Sequence, residues 1–172
     1  MLLKKIISGG QTGADQAALV AAKKFGGLET GGWMPKGFRT LEGPCPSFAE
    51  EFGMWEHTQP GYRPRTFQNV WKAQGTMRFA TNWQSAGEKC TLKAIQLYQR
   101  PYLDIGVPSE GFWPKGALQA VTADQAAKWL VENRVETLNV AGNSEKTSPG
   151  IARFVERYLT QVFQLLATGV SN

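Results

Sequence analysis

The sequence predicts a three-layer α/β/α domain around a mostly parallel sheet, and three observations point to it. Short apolar runs recur along the chain, each closed by a turn of glycine or polar residues and followed by a stretch of helix formers. The first run, Ile6-Ile7 with Leu2-Leu3 before it, suits a strand buried on both faces. Strands that alternate with helices need crossover connections, which are right-handed and align the strands in parallel. The layout is Rossmann-like. The whole chain, residues 1–172, reads as one domain, long enough to bury a core without disulfides or metal staples.

The opening strand stops at Gly9-Gly10, and a helix is expected from Asp15 to Phe25, where Leu19, Ala22 and Phe25 recur near helical spacing before Gly26-Gly27. Between Thr30 and Tyr62 glycines and prolines interrupt every periodic run, so a long ordered loop with one short helix is expected there. A helix at Thr66–Lys72, a turn at Gln74-Gly75 and a strand at Thr76–Ala80 follow. A loop from Asn82 to Lys89 then feeds a helix from Thr91 to Tyr98. Pro101–Ile105 reads as a strand, Thr122–Leu130 as a helix capped by Thr122, and Thr137–Ala141 as a strand. The last helix is expected to take Ser148 as its cap and Pro149 as its first residue, with Ile151, Phe154, Val155, Tyr158, Leu159 and Val162 on one face.

Composition narrows the function classes. Hydrophobic residues make up 42% and charged residues 19%, which excludes a disordered chain. The net charge of +5 comes from basic residues scattered among acids, so a site for a small anion is expected rather than a nucleic-acid stripe. Cys45 and Cys90 have no CxxC partner and no nearby histidine, so they read as reduced thiols and no metal site is expected. No segment has signal-peptide or membrane-spanning length, which implies a cytoplasmic protein with no membrane partner.

In a parallel α/β sheet, ligands sit at the carboxyl ends of the strands, where loops meet helix N-termini. The first such loop is Ser8-Gly9-Gly10-Gln11-Thr12-Gly13-Ala14-Asp15. Gly9, Gly10 and Gly13 allow the sharp turn and close approach that a phosphate cradle of main-chain N–H groups needs, and Gln11 and Thr12 add side-chain donors. A tight strand-to-helix turn is the bland alternative. No Lys-Ser or Lys-Thr pair follows Gly13, so a Walker-type nucleotide hydrolase is disfavoured.

The second loop offers Ser85 and Thr91 as donors, Gly87 for close approach and Glu88 as an acceptor for heterocyclic N–H groups, though a solvated loop fits as well. The third brings Gly142, Asn143 and Ser144 to the end of a strand, with a helix-capping role as the alternative. Lys36 and Arg39 lie in the irregular segment and are candidates to close over an anion, or plain surface charges. His57, the only histidine, has no positioned nucleophile beside it and reads as structural, and no catalytic residue is assigned. The six tryptophans at 33, 55, 71, 83, 113 and 129 read mainly as core or interface residues, with Trp33 and Trp83 placed to stack on a planar ring.

The segments SGGQTGAD, GGWMPKGFRTLEGP, RTFQNV, QGT and LNVAGNSEKTSPGI together resemble the molybdenum cofactor carrier protein family, over nearly the whole chain. That family belongs to the wider group of the lonely-guy hydrolases and nucleotide-sensing Rossmann-like proteins. The resemblance implies a Rossmann-like subunit, in a homotetramer, that binds and protects molybdenum cofactor and hands it to molybdoenzymes or cofactor-synthesis proteins without chemical turnover. The alternative is a nucleotide-derivative hydrolase or sensor related to the cytokinin-activating phosphoribohydrolases. Those hydrolases carry a PGGxGTxxE motif; aligned on Thr91, this chain has Cys90 for a glycine and Ala94 for the glutamate.

Overall fold

A computed structural model of the chain describes residues 1–108 and 121–169. Its centre is a six-stranded sheet in which every pairing is parallel, flanked by helices on both faces, a Rossmann-like three-layer α/β/α fold. The strands are β1 (Lys5–Ser8), β2 (Glu29–Met34), β5 (Met54–Glu56), β6 (Gly75–Ala80), β7 (Tyr102–Gly106) and β8 (Thr137–Gly142). Across the sheet they run β5-β2-β1-β8-β6-β7. A two-residue antiparallel pair, β3 (Arg39–Thr40) and β4 (Gly43–Pro44), stands apart. The helices are α1 (Ala14–Phe25), α2 (Phe48–Phe52), α3 (Tyr62–Lys72), α4 (Ala86–Tyr98), α5 (Ala123–Glu132) and α6 (Ile151–Thr168). Trp113 lies outside the described residues. No described helix is long and apolar enough to cross a membrane.

The two faces of the sheet are unlike. Ile6, Met77, Phe79, Leu138 and Val140 meet α1, α5 and α6 in one large apolar core. On the opposite face, under α3 and α4, the sheet carries Thr76, Arg78 and Asn139, all buried, beside a small cluster of Val70, Ala94 and Ile95. Buried polar groups must find partners inside the protein. Asn139 Nδ2 accordingly donates to Thr76 Oγ1 at 3.3 Å, and Arg78 forks onto Asp104 at 2.8 and 2.6 Å.

The segment expected to be a long loop contributes two strands of the central sheet, and this is the main correction to the fold. Gly31 and Gly32 are packing positions rather than breakers. At Gly32, with φ +121°, an added Cβ would lie 2.1 Å from the Ser8 carbonyl oxygen, so only glycine lets β2 run this close to β1. Asn69 of α3 replaces sheet partners there, accepting from the Trp33 N–H at 2.9 Å and donating to its carbonyl at 3.0 Å.

Three helix starts also differ, and the first is that of α3, which begins at Tyr62 rather than Thr66. Ser85 caps α4 by accepting the Glu88 N–H, so Gly87 and Glu88 belong to the first turn rather than to a loop. The cap of α6 is Gly150, not Ser148, and Pro149 lies before the helix. Glu145 reaches over that end, accepting from the N–H groups of Gly150 and Ala152, as an acidic side chain at a helix N-terminus should.

Candidate functional site

Three adjacent strands in the middle of the sheet, β1, β8 and β6, end side by side, and their loops are sewn together by main chain. The Ala14 N–H donates to the Asn143 carbonyl at 3.2 Å, and the Asn143 N–H to the Phe79 carbonyl at 2.9 Å. Close seams demand glycine. A Cβ at Gly13 would lie 2.5 Å from the Asn143 carbonyl oxygen, and one at Gly142 2.2 Å from that of Phe79. A cavity of about 510 Å³ opens beside these loops, between α3 and the start of α4.

Its walls bring together Gln11, Ser85, Gly87, Glu88, Thr91, Gly142, Asn143 and Ser144 among the residues expected from sequence. Gly9, Gly10, Thr12 and Gly13 do not line it. Lys36 and Arg39 are exposed on the segment around β3 and do not reach it either. The cation on the wall is Arg65, with Arg63 beside it, both from the first turns of α3.

The glycine loop therefore works differently from the cradle its residues suggest. The buried Asp15 carboxylate turns back on its own loop and accepts from the N–H groups of Gly9 at 3.2 Å and Gln11 at 3.3 Å. The Gly10 N–H donates to Ser8 Oγ and the Thr12 N–H to Gln11 Oε1. All four donors are committed to the protein itself. The glycines make room for side chains instead: a Cβ at Gly9 would overlap the Arg65 guanidinium at 1.6 Å, and one at Gly10 would press on Met34 at 2.9 Å. Gly10 also has φ +70°, so Gly10→Asp would disturb packing as well as any ligand.

Arg65 is 9% exposed, and its Nη1 donates to Asp15 Oδ2 at 3.5 Å. Burial raises the Asp15 carboxyl above its ordinary range, with Arg65 and the two loop N–H groups pulling it back down. Glu88 is 1% exposed on the same cavity. Burial pushes its carboxyl up to about 7; Arg78, 3.7 Å away, opposes the shift, and Asp15 and Asp104 add to it. Cys90, also on the wall, has its thiol pushed up by burial.

Most other polar groups on the wall are occupied. Thr91 Oγ1 donates to the Gly87 carbonyl, and Ser144 Oγ is paired with Thr147. Asn143 Oδ1 accepts from the N–H groups of Thr81 at 3.0 Å and Asn82 at 2.9 Å, fastening the β6 loop to β8. Asn143→Ala is expected to cost about 2–3 kcal/mol by leaving these two groups unpaired, read by urea denaturation. A loss under about 0.5 kcal/mol would show that water replaces the side chain.

Among the described residues, three buried side-chain polar atoms lack a hydrogen-bond partner. Two of them, Arg65 Nε and Glu88 Oε2, belong to residues of this cavity's wall. A donor on a cation and an acceptor on a carboxyl are thus both left for something else to fill. Sequence reading placed Glu88 here and missed Arg65, Arg63, Asp15 and Tyr62. The triplet Arg63-Pro64-Arg65 was the available signal, since a proline suits the first turn of a helix and both arginines line the cavity. Of the tryptophans, neither Trp33 nor Trp83 lines the cavity; Trp83 lies under the Arg78 guanidinium at 5.1 Å. His57 Nδ1 accepts the Gln59 N–H, a turn contact.

Comparisons with known proteins agree with the fold. Residues 6–163 match the family model described as the circularly permutated YpsA SLOG family. Among solved structures, the crystal structure of a "putative molybdenum carrier protein" from Syntrophus aciditrophicus SB superimposes with a TM-score of 0.74. That similarity is 29% identity over 96% of this chain and 95% of the other. No curated protein matches the chain.

Proposed function

The chain belongs to the circularly permuted YpsA family of SLOG proteins, and from that premise we propose that it binds and carries molybdenum cofactor, a phosphorylated pterin, without turning it over. One observation carries the reading: a cavity of about 510 Å³ at the strand ends keeps a buried arginine whose Nε has no partner in the protein. An anionic oxygen is the acceptor to which such a donor donates best. In this reading Arg65, with Arg63 at the rim, receives the cargo's phosphate in place of the glycine loop, whose donors Asp15 and its neighbours have taken. The similarity to a structure named "putative molybdenum carrier protein" supports the choice of cargo. Assembly as a homotetramer and hand-over to a molybdoenzyme belong to the same proposal, and light scattering on the purified chain reads the first.

A second reading, cleavage of a nucleotide derivative, draws on Glu88 and Asp15, two carboxyls with raised proton affinity on one cavity. Against it, Ala94 stands where the hydrolases' glutamate aligns, fully buried against α3 and away from the cavity wall. Incubating the protein with molybdenum cofactor and with nucleoside monophosphates separates the two. Retention of active cofactor, with no free base from any nucleotide, is the expected result. Base release would overturn the carrier reading.

A further inference from the structure

The Glu88 side chain does not do what its position in the helix invites. Ser85-Ala86-Gly87-Glu88 has the form of a capping box, in which the glutamate would turn back to the N-cap N–H. The equivalent box at α5 is complete, with Thr122 and Gln125 each serving the other. At α4 only the Ser85 half forms. Glu88 instead sends its carboxyl into the buried wall, where Asn143 Nδ2 reaches Oε1 at 3.5 Å and Oε2 has no hydrogen-bond partner, the nearest cation, Arg78 Nη1, standing 3.7 Å from it.

Its neighbours cannot fill that vacancy. Arg78 is pinned by the Asp104 fork, and its Nη1 donates to the Glu88 carbonyl at 3.2 Å. The Asn143 amide is held by the Asn82 carbonyl at 3.1 Å. Asp15 and Asp104, the two carboxyls that act on Glu88, bring like charge. What the position accepts is an incoming group with N–H donors and no negative charge.

Resting on the carrier reading, we propose that Glu88 reads the cargo's ring: its carboxylate takes the ring N–H and the exocyclic amino group that lie side by side on a 2-amino-4-oxo heterocycle, the edge shared by pterins and guanine. The phosphate lies towards Arg65 and the ring edge towards Glu88, so a cation and a carboxyl on the same wall set the ligand's direction. A carboxylate has acceptor sites for both donors at once. A 2-oxo analogue offers an oxygen where the amino group should be and leaves the carboxylate facing a lone pair.

Titration calorimetry on the full chain tests this with two ligand pairs: 6-hydroxymethylpterin phosphate against its 2-oxo counterpart, and GMP against IMP. The amino member should bind about tenfold more tightly, or better. Glu88→Gln should lose that preference while melting as a folded protein. Donors favour the ionised carboxyl, so binding should lower its proton affinity from about 7 and release about half a proton per ligand at pH 7. Runs in two buffers of different ionisation heat read this, and Glu88→Gln should abolish it. Preference in the pterin pair, with or without the nucleotide pair, supports the proposal. Equal affinities in both pairs, a preference that survives Glu88→Gln, or no binding by any of the four overturns it. Preference in the nucleotide pair alone keeps Glu88's role and sinks the carrier reading; retained molybdenum cofactor with equal affinities does the reverse.

Discussion

Arg65→Ala is expected to weaken cargo binding and to destabilise the fold at neutral pH, two effects with one origin. The guanidinium lies against Gly9, faces the Asp15 carboxylate at 3.5 Å and has an Nε without a partner in the protein. Losing a charge-assisted bond to a phosphate should weaken binding roughly tenfold to a hundredfold. Removing one partner of a buried ion pair costs about 3 kcal/mol, because the other charge stays behind. The pH dependence follows from the sign of the shift at Asp15. Its folded-state proton affinity is raised by burial, and Arg65 is the largest influence holding it down. Without Arg65 it rises further, and an acid whose folded pKa lies above its unfolded one loses stability as pH climbs from the unfolded value towards the folded one. The gap in melting temperature between variant and parent should therefore widen from pH 4 to pH 7. A constant gap would assign the loss to packing alone. Arg65→Lys separates the roles further, since it keeps the charge and loses the planar fork.

The largest purely structural effect is expected at Gly32→Ala. The residue has φ +121°, and an added Cβ would meet main-chain atoms of Ser8 at 2.1 and 2.8 Å. Backbone in a central strand cannot rotate away as a side chain can, so β1 and β2 would have to separate. Overpacking and an unfavourable φ together cost about 3–5 kcal/mol, which corresponds to a drop of roughly 10 °C in melting temperature for a domain of this size. Gly26→Ala is the control: its φ is +76° but nothing lies within 4 Å of the added Cβ, so only the conformational part of the cost remains. Equal losses at the two sites would mean that β2 can shift to accept the methyl.

Local signals in the chain were enough for the layer architecture, the parallel sense of the sheet and the ends of the strands where the cavity lies. Periodicity reports burial along one element, and the run at Ile6-Ile7, the helix before Gly26 and the apolar face of α6 each carry it within a few residues. β2 and β5 escaped because their burial comes from neighbours: Gly31 and Gly32 lack the apolar side chains that mark a strand, and their fitness for one is visible only when Ser8 and Asn69 stand beside them.

The candidate site divides in the same way. Glycines and polar residues at the strand ends marked the right loops, and Glu88, Asn143 and Gln11 reached the cavity wall. Their roles were decided by tertiary structure. Gly9 and Gly10 look like an anion cradle when read along the chain, yet Asp15, Ser8 and Gln11 take the loop's donors, and Arg65, more than fifty residues later in sequence, occupies the space that a side chain on Gly9 would fill. Sequence determines which groups are available and which conformations they permit. Only the folded chain decides which of them are already satisfied by one another, and a site consists of those that are not.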